Sequence, residues 1–169
     1  MNAVKDLLKV IGAILILGAT IALPAIGGEN TENDIRVRFA NNTANGVVKG
    51  LELRGKTLSP EEKKAVYELG LKAADKIIPL VKKAGLFEDY AKQLFDPDIM
   101  KLDRQALEAK NIDEVQKIMD KELDLIRSRY PVLYIWVTTS VEATEVMTEY
   151  LREVAKQSKK SEARVTGER

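Results

Sequence analysis

The sequence predicts a mainly α-helical protein, in which an N-terminal hydrophobic helix precedes an extracytoplasmic helical bundle with a small β-hairpin at its start. Two observations lead to this prediction. The chain has no charged residue between Lys9 and Glu29, and most of the sequence after residue 58 carries apolar residues at helical spacings of three and four. With 169 residues, 45% of them hydrophobic, the chain is long enough for one small globular domain.

The chain contains no His and no Cys. This excludes Ser-His-Asp and Cys-His catalytic systems, His-ligated and thiolate-ligated metal sites, and disulfides. Carboxylate, hydroxyl, Lys and Arg groups are left for any chemistry. We predict no cofactor and no catalytic, cofactor-binding or metal site.

Residues 1–28 predict a signal peptide or a transmembrane anchor. About 19 uncharged residues at 1.5 Å each span roughly 28 Å, which is close to the thickness of the bilayer hydrocarbon. A basic start at Lys5 and Lys9, an apolar stretch ending at Pro24 and small residues before Gly28 are equally typical of a cleaved signal peptide. A buried core helix is the less favoured alternative, because such helices usually have a polar face.

Signal peptide and anchor give the same topology. Basic residues precede the apolar stretch and Glu29, Glu32 and Asp34 follow it, so the N-terminus stays in the cytoplasm and the rest crosses the membrane. We therefore expect a protein that is secreted, or anchored through residues 7–28 and facing outside the cytoplasm. Asn41-Asn42-Thr43 is a glycosylation sequon, consistent with that location.

The net charge of the chain after residue 28 gives an expectation about its partners. Removal of residues 1–28 takes away Lys5, Lys9 and Asp6, which leaves equal numbers of acidic and basic side chains. A neutral domain lacks the electrostatic driving force for binding phosphates, so we expect no nucleic-acid partner.

Residues 29–58 are predicted to form a linker followed by a β-hairpin. Ile35, Val37 and Phe39 alternate with arginines, as in a half-buried strand. Residues 41–46 supply turn residues that end in Asn-Gly, and residues 47–53 again favour a strand. A lone hairpin is marginally stable in water, so it would pack against the helices or a neighbouring molecule.

Residues 59–157 are predicted to form the helical bundle. Ser59-Pro60-Glu61-Glu62 has the pattern of a capping box with proline at the first helical position, and Gly85 is the expected end of that helix. Pro79 should kink this helix, because proline cannot donate to the preceding turn.

Three further helix boundaries follow from local signals. A short helix over residues 87–94 ends before Asp96-Pro97-Asp98, and Asp98 is expected to cap a third helix that reaches about Lys110. The segment 111–114 begins a fourth helix that ends at Arg129, before Tyr130-Pro131.

The end of the chain is predicted to form one long helix and a tail. Residues 131–137 are β-branched and aromatic, as in a buried strand, but they continue without a turn signal into a helical pattern. We predict one buried helix over residues 131–157. Residues 158–169 are charged and unpatterned, which predicts a disordered tail.

Acidic residues form two groups that resemble cation sites. Four glutamates of the last helix lie on one stripe, but Arg152 and Lys156 are interleaved with them, so a solvated face is favoured over divalent-cation binding. These glutamates are Glu142, Glu145, Glu149 and Glu153. Asp96, Asp98 and Asp103 lack the glycine of an EF-hand loop, which favours turn and capping roles.

Glu122 is the one carboxylate that falls within the apolar rows of its helix, between Met119 and Ile126. An apolar environment would shift its pKa, which is typical of functional sites, whereas a boundary residue paired with Lys or Arg is the favoured interpretation. A glycoside hydrolase would need two facing carboxyl groups. The sequence offers Asp120, Glu122, Asp124 and Glu142 without any sign that two of them converge.

Four aromatic residues have two interpretations. They would line a ligand pocket, as in many extracytoplasmic binding domains, or they would pack in the core. Core packing is favoured, because each residue has core-facing helical spacing. The four are Phe87, Tyr130, Tyr134 and Trp136.

Together these features predict a non-enzymatic envelope protein, membrane-anchored or secreted, that acts by binding a protein partner or its own copies. An exported helical chaperone or surface-assembly subunit is one alternative. Leu58–Glu62 resembles the Leu-Thr-x-x-Gln helix opening of small exported helical chaperones, without the glutamine. A carboxylate-dependent exported hydrolase acting through Glu122 or Glu142 is the other alternative.

Overall fold

A computed structural model describes residues 31–166, and the side chains of residues 31–157. Seven α-helices and no strand occur in this range, which confirms the mainly α-helical class. The helices are α1 Glu32–Glu52, α2 Pro60–Lys83, α3 Phe87–Leu94, α4 Pro97–Glu108, α5 Ile112–Arg129, α6 Pro131–Thr139 and α7 Val141–Thr166.

The predicted signal or anchor segment, residues 1–28, lies outside the described residues. Within residues 31–166, no helix combines the length and the apolar character needed to cross a bilayer. At the other end, α7 continues to Thr166, where a disordered tail was predicted from residue 158.

The predicted β-hairpin over residues 35–53 is wrong, because this segment forms α1. A capping box starts the helix: the Asp34 amide donates to the Thr31 hydroxyl over 3.1 Å, and the Thr31 amide donates to the Asp34 carboxylate over 2.9 Å. Ile35 and Phe39, four residues apart, are then fully buried on one face. Burial at helical spacing therefore prevails over the local alternation that favoured a strand.

Helices α1 and α2 lie antiparallel and very close together. Three ion pairs join them along their length, namely Glu32–Lys82, Arg36–Asp75 and Glu52–Lys63. At the centre of the contact, a Cβ atom on Gly70 would lie 3.0 Å from the Ala40 carbonyl oxygen and 3.0 Å from the Thr43 Oγ1. Gly70 thus permits a closer backbone approach than a residue with a Cβ atom would.

The predicted boundaries of α2 are confirmed. The Glu62 amide donates to the Ser59 hydroxyl over 3.2 Å, and the Ser59 amide donates to the Glu62 carboxylate over 2.6 Å. At the far end Gly85 has a φ of 72°, the left-handed conformation in which glycine usually terminates a helix. Pro79 lies inside α2 on its exposed side.

Residues 131–157 are helical, as predicted, but form two helices rather than one. Ser140 separates α6 from α7 with an extended ψ of 117°. Its hydroxyl accepts from the Ala143 amide over 3.2 Å, so the serine caps the start of α7. The break between α6 and α7 occurs without Gly or Pro.

Within residues 31–157, the bundle has one main core and two smaller apolar clusters. Helices α1, α2, α3, α6 and α7 contribute to the main core, whose largest fully buried side chains include Ile35, Phe39, Val66, Ile77, Leu133 and Met147. Helices α4 and α5 form a hairpin with its own contacts, one around Ile99 and Ile126 and one around Ala106 and Met119. This α4–α5 hairpin approaches α1 through polar residues, which form the candidate site.

Candidate functional site

Three charged or ionisable side chains meet in the interior, one each from α1, α4 and α5. Arg38 and Asp103 form an ion pair with 3.9 Å between Nη2 and Oδ2, and their side chains are 5% and 1% exposed. Glu122 is completely buried. Neither of its carboxyl oxygens has a hydrogen-bond partner among the described residues. We refer to Arg38, Asp103 and Glu122 as the buried polar cluster.

Helical spacing explains why these residues point inward. Asp103 lies four residues after buried Ile99 and three before buried Ala106. Glu122 lies three residues after buried Met119 and four before buried Ile126. Each carboxylate therefore occupies an apolar row of its helix, and burial of the row buries the carboxylate as well.

Arg38 reaches the cluster from α1, next to buried Phe39. Its guanidinium carbon lies 5.8 Å from the centre of the Phe95 ring, a cation–π distance. Burial lowers the pKa of Arg38, an effect that the Asp103 carboxylate opposes and nearby Arg104 reinforces. An arginine remains protonated in proteins despite such a shift.

Burial raises the pKa of Glu122 well above its ordinary value, and the neighbouring Asp103 carboxylate raises it further. The apolar environment proposed for Glu122 from its position in the sequence is thus confirmed, while the favoured interpretation as a boundary residue is wrong. Complete burial also keeps Glu122 away from any solvent-borne substrate. A protonated carboxyl group with no charge is the form that such an environment favours.

A second cluster lies at the junction of α3, α4 and α5. The Arg129 guanidinium donates to both oxygens of Asp96 over 2.8 Å and to Asp98 over 2.5 Å. The Tyr130 hydroxyl donates to Asp96 over 3.1 Å. These contacts link the end of α5 to the start of α4.

Asp96, rather than Asp98 as predicted, caps α4. Its carboxylate accepts from the amides of Asp98 and Ile99 over 3.0 and 3.4 Å. Burial alone would raise the pKa of Asp96, but hydrogen bonds from Arg129, Tyr130 and the capped amides lower it below the ordinary value. Burial and the Asp96 carboxylate raise the pKa of Tyr130 to about 12. Capping of α4 and the hydrogen bonds from Arg129 and Tyr130 therefore explain the pKa shift of Asp96 in structural terms.

The predicted glutamate stripe of α7 lies at the surface. Glu149 pairs with Lys76 and Glu153 pairs with Lys156, each over 2.5 Å. Glu142 and Glu145 are exposed. In residues 31–157, no group of three acidic side chains is arranged to hold a metal ion.

The four aromatic residues singled out from the sequence pack against the apolar clusters. Phe87, Tyr130 and Trp136 contact the main core, and Tyr134 contacts the cluster around Ile99 and Ile126. Two surface grooves lie elsewhere. One of about 450 Å³ runs between α2 and α7, and one of about 340 Å³ lies at the junction of α6 and α7.

The outer face of α6 is apolar and exposed. This helix has no charged residue, and Val132 and Ile135, three residues apart, are 61% and 60% exposed. Val141, just after the Ser140 break, is 67% exposed. Exposed aliphatic residues grouped on one helix face are typical of interaction surfaces. The sequence did not reveal this face, because residues 131–157 were expected to form one buried helix.

Comparison with protein-family models, with curated proteins and with solved structures finds no match to this chain.

Proposed function

We propose that this chain is a non-enzymatic cell-envelope protein, anchored in the membrane or secreted, whose helical bundle associates with a second copy of itself through α6. The observation that supports this proposal is the uncharged outer face of α6, with Val132 and Ile135 about 60% exposed. Burial of such residues contributes about 25 cal/mol per Å² of apolar area.

The lack of charge on α6 favours a second copy of the chain as the partner. In a two-fold contact each residue faces the same patch on the other chain, so any charge on the patch would meet a like charge. The sequence from Pro131 to Thr139 avoids this repulsion, since it has no charged residue. The few exposed side chains make a small contact, which is typical of weak association unless membrane anchoring concentrates the protein.

The alternatives from the sequence have less support. Complete burial of Glu122 argues against its use by a hydrolase. The edge strand over residues 35–53 that would serve an assembly subunit is a helix instead. Export itself is supported by the uncharged stretch between Lys9 and Glu29 in the sequence.

The test of self-association is sedimentation velocity over a concentration series, with Ile135→Asp as the variant. We expect at least a tenfold weaker dimer, because the two-fold contact would place two carboxylates near each other. Ile112→Asp is the matched control, since Ile112 is also an exposed isoleucine, 51% accessible, but lies at the start of α5. A monomer at all concentrations, or equal effects of the two variants, would refute the α6 contact. Vesicle flotation of the same proteins would reveal a lipid partner instead.

Location is tested separately by mass spectrometry of protein from native membrane and secreted fractions. An intact N-terminus in the membrane fraction indicates an anchor, and a start near Gly28 indicates cleavage and secretion. Full-length protein confined to the cytosolic fraction would contradict the envelope location without bearing on the α6 contact.

A further inference from the structure

The α4–α5 hairpin is held to the rest of the bundle differently from the way the other helices are held. Its two helices pack on each other through Ile99, Ile126, Ala106 and Met119. Tyr130 and Tyr134 pack against the cluster of Ile99 and Ile126, and Tyr130 also contacts the main core. On the α1 side, Arg38 pairs with Asp103, and Glu122 lies beside Asp103. A buried contact of this kind depends on the charge state of its members.

The charges of this contact do not balance when Glu122 is ionised. Arg38 supplies one positive charge, and the ion pair with Asp103 balances that charge. An ionised Glu122 would add a second negative charge beside Asp103, with neither oxygen accepting a hydrogen bond from the described residues. Burial of an uncompensated charge is strongly unfavourable.

Among the side chains that the structure describes, Asp103 is the one charged group that shifts the pKa of Glu122. Helix α4 brings Asp103 next to it, while Arg104 acts on Arg38 and is itself exposed. Helix α6 has Tyr134 as its single ionisable side chain. A proton on Glu122 is therefore the simplest way to close the hairpin on α1 without an unpaired charge.

We propose that the buried polar cluster makes the α4–α5 hairpin a proton-controlled element: the hairpin stays closed on α1 while Glu122 carries a proton, and loss of that proton to solvent releases it. The proton is the ligand of the site. Opening exposes Glu122 to water, where its carboxylate is stable. This inference does not depend on the proposed location or on self-association.

Linkage gives the expected size of the effect. The raised pKa of Glu122 in the closed state means that the closed state binds the proton more tightly than the open one. Between the ordinary pKa of 4.5 and the raised value, the opening equilibrium constant should rise about tenfold per pH unit. The chain has no His and no Cys, so few other side chains titrate in this window.

Hydrogen–deuterium exchange of the full chain, followed by mass spectrometry between pH 5 and 7.5, tests the proposal. After correction for the chemical exchange rate, amides of α4 and α5 should lose protection as pH rises, while those of α2 should not. Glu122→Gln should remove this pH dependence. Asp120→Asn, an exposed change on the same helix, should preserve it.

Three results would overturn the proposal: a wild-type hairpin without pH dependence, a pH dependence that persists in Glu122→Gln, or an equal loss of protection in α2, which would mean global unfolding. Should Glu122→Gln fold poorly, Glu122→Met replaces it, because methionine fills a similar volume without any ionisable group. Its hairpin should also be insensitive to pH.

Discussion

The close approach of α1 and α2 at Gly70 gives a sharp test of the helix packing. Gly70 lies in the middle of α2, where alanine is normally favoured over glycine by about 1 kcal/mol because of backbone entropy. A Cβ at this position would lie 3.0 Å from the Ala40 carbonyl oxygen and 3.1 Å from the Ala40 Cα. Backbone atoms cannot rotate away as a side chain can, so α1 and α2 would have to move apart by a few tenths of an ångström. Overpacking of this kind typically costs about 1–3 kcal/mol.

Gly50 provides the matched control. It also lies within a helix, near the end of α1, but a Cβ placed there would have no neighbour within 4 Å. Gly50→Ala should therefore stabilise the protein by about 0.5–1 kcal/mol through helix propensity. Gly70→Ala should destabilise it, because the steric cost exceeds the propensity gain. The same substitution thus has opposite signs at two helical positions.

Urea denaturation followed by far-ultraviolet circular dichroism measures both effects. With a slope of about 1–3 kcal/mol per M, the two midpoints should move apart by roughly 1 M. The fluorescence of Trp136, the single tryptophan, gives a second probe beside the core. If Gly70→Ala stabilised the protein as much as Gly50→Ala, the close contact between α1 and α2 would be refuted.

Two further predictions concern the polar contacts. Arg38→Met should destabilise the protein by about 3–5 kcal/mol, because Asp103 would lose Arg38 as its ion-pair partner while remaining buried. The double variant with Asp103→Leu should recover much of that loss. Strict additivity of the two free-energy changes in urea denaturation would contradict the ion pair. Asp96→Ala should cost about 1 kcal/mol more than Asp96→Asn, since asparagine retains the acceptor that caps α4. Folding lowers the pKa of Asp96, so its carboxylate stabilises the fold above the ordinary pKa of 3.8. This contribution is lost as the pH falls through the lower pKa of the folded state. Acid titration of Asp96→Asn should therefore show a smaller loss of stability than acid titration of the wild type.

Helix boundaries that depend only on neighbouring residues could be predicted from the sequence. Ser59 and Glu62 exchange hydrogen bonds with each other's amides, so four consecutive residues contain the whole signal. Gly85 ends the same helix through its own φ. Neither feature needs a contact from elsewhere in the chain, which is why the sequence alone sufficed.

The α1 segment shows where local patterns fail. Ile35, Val37 and Phe39 alternate as in a strand, and Asn-Gly at residues 45–46 favours a hairpin turn. The structure buries Ile35 and Phe39 against α2 instead, through an approach that depends on Gly70 many residues later. The Thr31–Asp34 capping box was the local signal for a helix. This capping box favours a helix at the same residues where the alternation favours a strand.

The buried polar cluster was predictable only in part. The position of Glu122 between Met119 and Ile126 identified it as a carboxylate in an apolar row. Asp103 lies between Ile99 and Ala106 in the same way, so the same test would have found it. Arg38 could not be assigned, because its segment was predicted to be a strand and its pairing with Asp103 depends on the tertiary fold.

The composition of the cluster bears on its role. Apolar residues of similar size would hold α4–α5 on α1 at least as tightly, since replacing a buried ion pair with hydrophobic residues is often neutral or stabilising. A second carboxyl group beside the Arg38–Asp103 pair adds nothing to stability as a carboxylate. It does make the contact depend on one proton, and a chain without histidine has few other groups that respond between pH 5 and 7.5. Sensitivity to pH is therefore the property that Glu122 provides and a leucine at the same position would not.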